Sequence, residues 1–277
     1  MTSFLISTDD LARDFGAPDL RIVDASWHLD GRDARAEFEQ TRIPGAVFFD
    51  LDAVSDHTSG LPHMLPTAAG FAKAMGGLGL SATDRIVVYD TVGLFSAARV
   101  WWTFRLMGAR DVRVLDGGLP LWQAEGRPTE AGAAPPRSPV PFEPVERRGA
   151  VADMATVLAA LSGDAQIVDA RPSLRFKGEA SEPRVGLRPG HMPGALNLPF
   201  KAVLDDTGRL LSAADLRARF AEAGVTFDRP IITSCGSGVT AAILTLALAE
   251  LGEESAVYDG AWAEWGGRSD TAIVTGP

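Results

Sequence analysis

The stretch IITSCGSGVTAAILTLALAELG, residues 231–252, carries the signal that decides the fold. Its first residues form a short apolar, β-branched run, which is typical of a buried strand. A loop of small residues follows, and from residue 240 an apolar pattern of helical length begins. Cys235, the only cysteine among 277 residues, stands where the strand ends. The stretch therefore predicts a strand, a tight loop and a helix, with a single sulfur at the turn.

The same order of motifs occurs twice along the chain, at offsets of about 145 residues, which indicates the duplication of one domain. The matched pairs are IVDASW (22–27) with IVDARP (167–172), IPGAVFFDL (43–51) with MPGALNLPF (192–200), RIVVYD (85–90) with PIITSC (230–235), and VLDGGLPLW (114–122) with VYDGAWAEW (257–265). One such pair could arise by chance, but four in the same order favour duplication.

Each half alternates short apolar runs with helical patterns, which predicts an α/β fold of tandem domains, each a mainly parallel sheet flanked by helices. We expect an N-terminal domain over 1–135, a proline-rich linker over 136–150 and a C-terminal catalytic domain over 151–277. Prolines have no backbone N–H to donate, so this segment cannot form a helix or a central strand. We expect a stiff linker or a strap on the surface. Ligands of parallel sheets bind beyond the carboxyl ends of the strands, which is where Cys235 falls.

The composition excludes several classes of function. The formal net charge of -10, without a Lys/Arg-rich tract, disfavours nucleic acid as a partner. No apolar run reaches 18 residues and the first residues lack the pattern of a signal peptide, so we expect neither a membrane span nor a leader. A lone cysteine fits a reducing compartment, and we expect a cytoplasmic protein. Since His28 and His57 have no metal-ligand spacing with each other or with Cys235, we expect no metal and no cofactor.

The loop after Cys235 has the composition of an anion cradle. Glycines can take positive φ, so successive backbone N–H groups can converge into a nest. The helix that follows adds its unpaired N-terminal N–H groups and the positive end of its dipole. An anionic sulfur at the centre of the loop would be stabilised. The predicted cradle consists of Gly236, Ser237, Gly238, Val239 and Thr240.

Several chemistries place a cysteine in such a loop, and the neighbouring residues separate them. A phosphatase of the C-x5-R type needs an arginine at position 241, where this chain has Ala241. A C-x-x-C redox pair needs a second cysteine at Gly238. A persulfide carrier needs one cysteine alone, and an inert buried thiol is the remaining alternative. The first half has Asp90 at the cysteine position, and there we expect a solvated or capping carboxylate.

At these residues the chain resembles the two-domain rhodanese family of sulfurtransferases, over nearly its whole length. CGSGVT (235–240) is similar to the active-site loop of the branch that uses mercaptopyruvate, whereas the branch that uses thiosulfate usually has basic residues there. The resemblance implies that Cys235 attacks the sulfur of 3-mercaptopyruvate, releases pyruvate and becomes a persulfide. A small-molecule sulfur donor and a thiol acceptor are then the expected partners. Cyanide takes the outer sulfur in an assay, and thioredoxin is an acceptor by family analogy.

The resemblance also implies the substrate-binding residues. The arginines of the RF and EPR motifs, Arg175 and Arg184 here, are expected to bind the carboxylate and keto oxygens of the donor. Guanidinium forks suit this task because they recognise carboxylates bidentately. Arg171 and Arg188, in the same stretch, are expected to form structural contacts.

Some members of the family are proposed to use a Ser–His–Asp relay for the proton of the leaving group. The matching residues are Ser237, His63 and Asp52. In a second interpretation, His63 and Asp52 brace a loop and Ser237 caps the helix. The sequence does not decide between the proton relay and this structural role. Because these residues come from both halves, we expect the site in a cleft between the domains.

Two other functions compete with mercaptopyruvate chemistry. A thiosulfate:cyanide sulfurtransferase is disfavoured because the loop offers a doubly charged donor no local cation. A non-catalytic sulfur carrier or rhodanese-like binding module is disfavoured by the intact cysteine loop together with both arginines.

Overall fold

A computed structural model describes residues 3–277. The first half contains strands β1 (Leu5–Ile6), β2 (Leu20–Asp24), β3 (Val47–Phe48), β4 (Arg85–Tyr89) and β5 (Asp111–Leu115), with helices α1 (Thr8–Asp14), α2 (Ala34–Gln40), α3 (Leu51–Val54), α4 (Ala68–Gly77), α5 (Ala97–Leu106) and α6 (Gly118–Ala124). The second half contains β6 (Val151–Ala152), β7 (Gln166–Asp169), β8 (Leu196–Asn197), β9 (Ile231–Ser234) and β10 (Ala256–Tyr258), with α7 (Met154–Ala160), α8 (Ser173–Phe176), α9 (Ala213–Glu222), α10 (Ala241–Glu250) and α11 (Ala261–Trp265). Short 3-10 helices cover Arg148–Ala150 and Phe200–Val203.

The two halves form sheets of the same topology. The first sheet has the order β1-β5-β4-β2-β3 and the second the order β6-β10-β9-β7-β8, so the second repeats the first strand for strand. Every pairing within these sheets is parallel. The predicted α/β fold of two parallel sheets flanked by helices is confirmed.

Each sheet carries a hydrophobic core of its own. The first core contains Ile6, Leu11, Leu20, Ile22, Phe38, Ile43, Ala46, Phe48, Val87, Tyr89, Leu115, Leu119 and Trp122. The second contains Ala152, Val157, Ala160, Ile167, Met192, Ile232, Tyr258, Trp262 and Trp265. Strands buried in this way explain why the sequence shows continuous apolar runs rather than alternation.

The stretch that predicted the fold is a strand, a loop and a helix. The strand β9 ends at Ser234, one residue before Cys235, and α10 begins at Ala241. Every residue of α10 from Ala241 to Leu248 is buried. A helix that is apolar on all sides has no solvent face, so α10 is fixed by packing all around it and holds the loop before it in place.

The chain divides into two compact units that are not continuous in sequence. The first takes residues up to Asp56, then 65–147 and 206–210, and the second takes 57–64, 148–205 and 211–277. His63 therefore groups with the second unit, although it precedes the second half by many residues.

The proline-rich segment before residue 148 lies along the first unit. Val140 N–H donates to the Gly76 carbonyl at 3.1 Å, and Val145 N–H donates to the Met107 carbonyl at 3.0 Å. Phe142 is buried, and its ring meets those of Phe71 and Phe104 at centroid distances of 5.2 and 6.3 Å. Backbone bonds and one buried aromatic ring thus hold the segment as a strap.

No helix within residues 3–277 has both the length and the apolar character that crossing a membrane requires.

Candidate active site

Cys235 lies at the carboxyl edge of the second sheet, directly after β9, and the residue is 2 % exposed. The backbone around it is tied to the start of α11. The Cys235 carbonyl accepts a hydrogen bond from Trp262 N–H, and the Gly236 carbonyl accepts one from Ala263 N–H, both at 2.9 Å. Ala261, just before these donors, has a φ of 52°, which is rare for a residue with a side chain. These bonds hold the first two carbonyls of the loop toward α11.

The two glycines of the loop serve different purposes. Gly238 has a φ of 78° and takes the left-handed conformation that the sequence predicted. The same prediction for Gly236 is wrong, because Gly236 is not among the residues with positive φ. At Gly236 the missing side chain instead leaves space for two guanidinium groups. A methyl group there would lie 3.2 Å from Arg175 Nη2 and 3.9 Å from Arg184 Nη1.

The backbone N–H groups of the loop are not used by the protein itself. Within the described part of the chain, no carbonyl or side chain accepts a hydrogen bond from the amides of residues 236–240. The N-cap of α10 is Thr240, whose side chain makes no capping hydrogen bond. Buried amides without a partner are costly, so such a loop is suited to an anion at its centre.

The first half has a longer loop of different sequence at the equivalent turn, and there the chain supplies an anion. Asp90, at the cysteine position, is fully buried, and its carboxylate accepts hydrogen bonds from the N–H groups of Val92, Phe95 and Ala97 at 2.9, 2.7 and 2.9 Å. Of the two expectations for Asp90, the capping carboxylate is confirmed and the solvated one is wrong. A buried carboxylate in this position indicates that the strand–loop–helix turn of this fold stabilises negative charge.

Asp24 and Asp169 end equivalent strands but have different surroundings. The Arg171 guanidinium binds the Asp169 carboxylate, whereas Ser26 stands at the arginine position of the first half. Asp24 is fully buried, and its Oδ1 accepts a hydrogen bond from Ser26 N–H at 2.9 Å. Burial raises the pKa of Asp24 to about 6, and the negative charge of Asp90 contributes to the rise.

Replacing Asp24 with asparagine should therefore stabilise the protein near neutral pH. Asp24 binds its proton more tightly in the folded than in the unfolded state, whose carboxyl pKa is about 3.9. The stability of the wild type thus falls as pH rises from about 4 to about 6, and above this window the ionised Asp24 costs up to about 3 kcal/mol. Denaturant unfolding of both proteins should show a gain for Asp24→Asn at about pH 8 that falls to about a third at about pH 4.5.

The exposed Asp164 offers a matched control, since Asp164→Asn makes the same change of charge outside any buried site. This control should change the free energy of unfolding little at either pH. A gain for Asp24→Asn that is equal at both pH values would show that ionisation of Asp24 is not its cause.

A line of alternating charges leads from β7 to the cysteine loop, and we call Asp169, Arg171, Glu182 and Arg175 the charge chain. Arg171 Nη2 donates to Asp169 Oδ2 at 2.7 Å, and Arg171 Nη1 donates to Glu182 Oε1 at 2.7 Å. Glu182 Oε2 accepts from Arg175 Nε at 3.1 Å and also from Arg175 Nη2. The side chains of Asp169, Arg171 and Glu182 are at most 1 % exposed, and that of Arg175 is 16 % exposed.

Arg171 and Arg188 have the structural contacts expected of them. The Arg171 guanidinium lies over the Trp262 ring, 4.1 Å from its centroid, and donates to the Gly190 carbonyl at 2.8 Å. Arg188 donates to the carbonyls of Gly266 and Thr271 at 3.3 and 3.1 Å. Arg175 and Arg184, by contrast, both bring a guanidinium beside Gly236.

Ser237 and His63 form a hydrogen-bonded pair. The distance between Ser237 Oγ and His63 Nδ1 is 2.9 Å, and the two residues are 5 % and 4 % exposed. His63 has a φ of 58°, a strained conformation for a residue with a side chain, which is often found at functional sites. The alternative in which Ser237 caps the helix is wrong, because the N-cap of α10 is Thr240.

Asp52 lies at the start of α3 in the first unit, where its side chain is exposed. Its Oδ2 accepts a hydrogen bond from the Trp27 indole N–H at 3.0 Å. The place of Asp52 in a relay with His63 stays a prediction.

Glu182 is a buried acid of this site that the sequence did not single out. The sequence contains a signal, because Glu182 is an acid between Arg175 and Arg184, the two arginines that are predicted to bind the donor. Its burial, however, is set by tertiary contacts. Across residues 3–277 no group of three or more His, Cys, Asp or Glu side chains could hold a metal ion.

Comparison with known proteins places this geometry in a family. The profile of the rhodanese-like domain matches residues 7–125 and 154–268. The chain is 45 % identical over 278 residues to the 3-mercaptopyruvate sulfurtransferase of Escherichia coli K12, covering 98 % of each protein. It is 41 % identical over 271 residues to the thiosulfate sulfurtransferase of Bos taurus, covering 94 % of this chain and 91 % of the relative.

A solved structure agrees with these relatives. The crystal structure of SseA from Escherichia coli, described with the rhodanese fold and the mechanism of 3-mercaptopyruvate sulfotransferases, superimposes with a TM-score of 0.87 at 44 % identity, covering 94 % of this chain and 99 % of that one. The chain belongs to the rhodanese family. It is a two-domain sulfurtransferase of that family, similar over nearly its full length to the enzymes named for 3-mercaptopyruvate.

Proposed function

We propose that the protein transfers a sulfur atom from 3-mercaptopyruvate to a thiol or cyanide acceptor through a persulfide on Cys235. The observation that carries the proposal is the surroundings of Cys235. Its loop presents backbone N–H groups that no acceptor within residues 3–277 uses, and the guanidinium groups of Arg175 and Arg184 stand beside Gly236. A site that stabilises an anionic sulfur next to two carboxylate-binding groups fits an anionic sulfur donor.

In the first step, the Cys235 thiolate attacks the thiol sulfur of 3-mercaptopyruvate. An S–S bond forms, and the C–S bond breaks with its electron pair moving to carbon as the enolate of pyruvate. The proton that leaves the donor sulfur is balanced by the proton that the enolate takes up to give pyruvate. Arg175 and Arg184 bind the carboxylate and keto oxygens, and the loop N–H groups stabilise the terminal sulfur of the Cys–S–S⁻ product.

The Ser237–His63 pair is the proposed route for this proton. Ser237 is two residues from Cys235, and its hydroxyl is 2.9 Å from His63 Nδ1, so both can exchange a proton within the buried site. Histidine suits proton transfer near neutral pH. Asp52 belongs to the same proposal as the group that would orient His63.

In the second step, an acceptor attacks the outer sulfur. A thiolate leaves with that sulfur as a persulfide, or cyanide leaves as thiocyanate, and in both cases the electron pair of the S–S bond returns to Cys235 as a thiolate. Thioredoxin is the thiol acceptor that family analogy adds. A cytoplasmic location is part of the proposal, because the reaction needs Cys235 as a free thiol.

Thiosulfate is the competing donor, and the bovine relative is named for it. The loop itself favours mercaptopyruvate, because Gly236 and Ser237 add no further cation to the two arginines beside it. A non-catalytic sulfur carrier or binding module is the other alternative. It does not explain why two arginines stand beside the cysteine loop.

A steady-state comparison of the two donors tests the proposal. With cyanide as acceptor, we expect the wild type to show a higher kcat/KM for 3-mercaptopyruvate than for thiosulfate, with pyruvate formed in step with thiocyanate. A higher kcat/KM for thiosulfate would show that thiosulfate, and not 3-mercaptopyruvate, is the preferred donor. Turnover of neither donor would favour the binding module.

A further inference from the structure

The charge chain balances its own charges. Asp169 and Glu182 are negative and Arg171 and Arg175 are positive, so the four side chains sum to zero while they link β7 to the cysteine loop. Arg175 is the end that faces the loop, with Nη2 3.2 Å from the position of a methyl group on Gly236. Its charge is thus offset by Glu182 at the place where the donor would bind.

The position of Glu182 is closely constrained. Its carboxylate is 1 % exposed, and each oxygen has its own arginine, Oε1 with Arg171 and Oε2 with Arg175. Arg171 is in turn fixed by Asp169 and the Trp262 ring. Glu182 therefore has no room to turn away when an anion arrives, and its charge stays close to the bound donor.

The duplicated half supports a functional reason for this arrangement. In the first half, Ser26 stands where the second half has Arg171, and Asp24 ends β2 without the arginine that binds Asp169. The fold therefore does not need the charge chain. It occurs in the half that carries the cysteine.

We infer that Glu182 is a positioning and specificity-determining residue, which holds Arg175 beside the cysteine loop and cancels part of its charge, so that the site prefers a singly charged sulfur donor over a doubly charged one. 3-Mercaptopyruvate carries one carboxylate charge at neutral pH, whereas thiosulfate is a dianion. A buried negative charge one side chain away repels the dianion more strongly than the monoanion. The inference rests on the proposed function and extends it to donor selection.

The test compares the ratio of kcat/KM for thiosulfate to kcat/KM for 3-mercaptopyruvate in the wild type and in Glu182→Gln. Glutamine keeps the size of the side chain and one acceptor oxygen but removes the charge. We expect the ratio to rise roughly tenfold, because one additional unit of positive charge acts on donors that differ by one charge. The shift should persist as salt is raised from about 0.05 to about 0.5 M, because the interaction between the buried Glu182 and a bound donor is screened little.

Two further variants separate charge from position. Glu182→Asp keeps the charge but shortens the reach to the two arginines, so KM should rise for both donors while the ratio stays within about twofold of the wild type. Glu179→Gln makes the same charge change on an exposed acid three residues away and should leave the ratio unchanged. If Glu182→Gln does not fold, Glu182→Asp still tests the inference through its ratio.

An unchanged or lower ratio in Glu182→Gln would overturn the inference, as would a selective gain of thiosulfate activity in Glu182→Asp. These outcomes differ from a failure of the proposed function. That failure would appear in the wild type itself, as a lack of turnover with 3-mercaptopyruvate.

Discussion

Cys235→Ser should abolish sulfur transfer from either donor, with a loss of kcat/KM on the order of 10⁴-fold or more. A serine hydroxyl is a poor nucleophile toward sulfur and cannot form the persulfide that the second step needs. Because the chain has no other cysteine, no second thiol can replace it. Steady-state kinetics and the mass of the intact protein after incubation with donor and without acceptor provide the measurement. The wild type should gain the mass of one sulfur atom, and the variant should gain none.

The control for Cys235→Ser is the integrity of the fold. Cys235 is 2 % exposed, so the substitution places a hydroxyl in a buried position, and thermal unfolding must show that the variant is folded. Transfer of sulfur by a folded Cys235→Ser protein would contradict the mechanism. A gain of one sulfur atom by that variant would do so as well.

The fold was predictable because its signals are local and occur twice. The run from 231 to 234 and the apolar pattern after 240 gave β9 and α10, and repetition of the same motifs about 145 residues earlier gave the second sheet. The grouping of residues 57–64 with the second unit was not predictable. It depends on tertiary contacts of a segment that has no strand or helix pattern of its own.

The anion cradle was the part of the site that the sequence could predict, because glycines between a strand and a helix have few other structural roles. A glycine-rich loop between a buried strand and a helix indicates an anion cradle, and the buried carboxylate of Asp90, with its three N–H donors, shows the same turn in use. The prediction of a positive φ for Gly236 was wrong, and a sequence does not show that two guanidinium groups lie within about 4 Å of the position that a Cβ would take there.

The burial of polar side chains was the least predictable property. Arg171 and Arg175 are both arginines and lie four positions apart, yet Arg171 stacks on the Trp262 ring and Arg175 faces the loop. Glu182 joins them through its two oxygens. Such a division of roles depends on which side chains the fold brings together, and no periodicity in the sequence encodes it.

Arg175→Ala should raise the KM for 3-mercaptopyruvate by roughly 10- to 100-fold, with a much smaller change in kcat. The guanidinium beside Gly236 is proposed to bind the donor carboxylate, and a hydrogen bond between charged groups contributes about 1.5–3 kcal/mol. Its removal also leaves the Glu182 carboxylate with one arginine fewer, so that an uncompensated negative charge faces the donor. The same substitution in a Glu182→Gln background should therefore raise KM less than it does alone, which a double-mutant cycle measures.

The matched control is Arg219→Ala, which removes an exposed arginine of α9 that pairs with Glu222 at 3.0 Å in the same unit. It should leave the KM unchanged, because exposed ion pairs contribute little and this one lies in a surface helix. Arg175→Lys refines the result, since lysine keeps the charge but loses the planar fork, and KM should fall between those of the wild type and Arg175→Ala. An unchanged KM in both Arg175→Ala and Arg184→Ala would show that neither arginine binds the donor. If the effects of Arg175→Ala and Glu182→Gln on the free energy derived from KM are strictly additive, Glu182 does not act electrostatically on the donor. The binding role of Arg175 would be unaffected by that result.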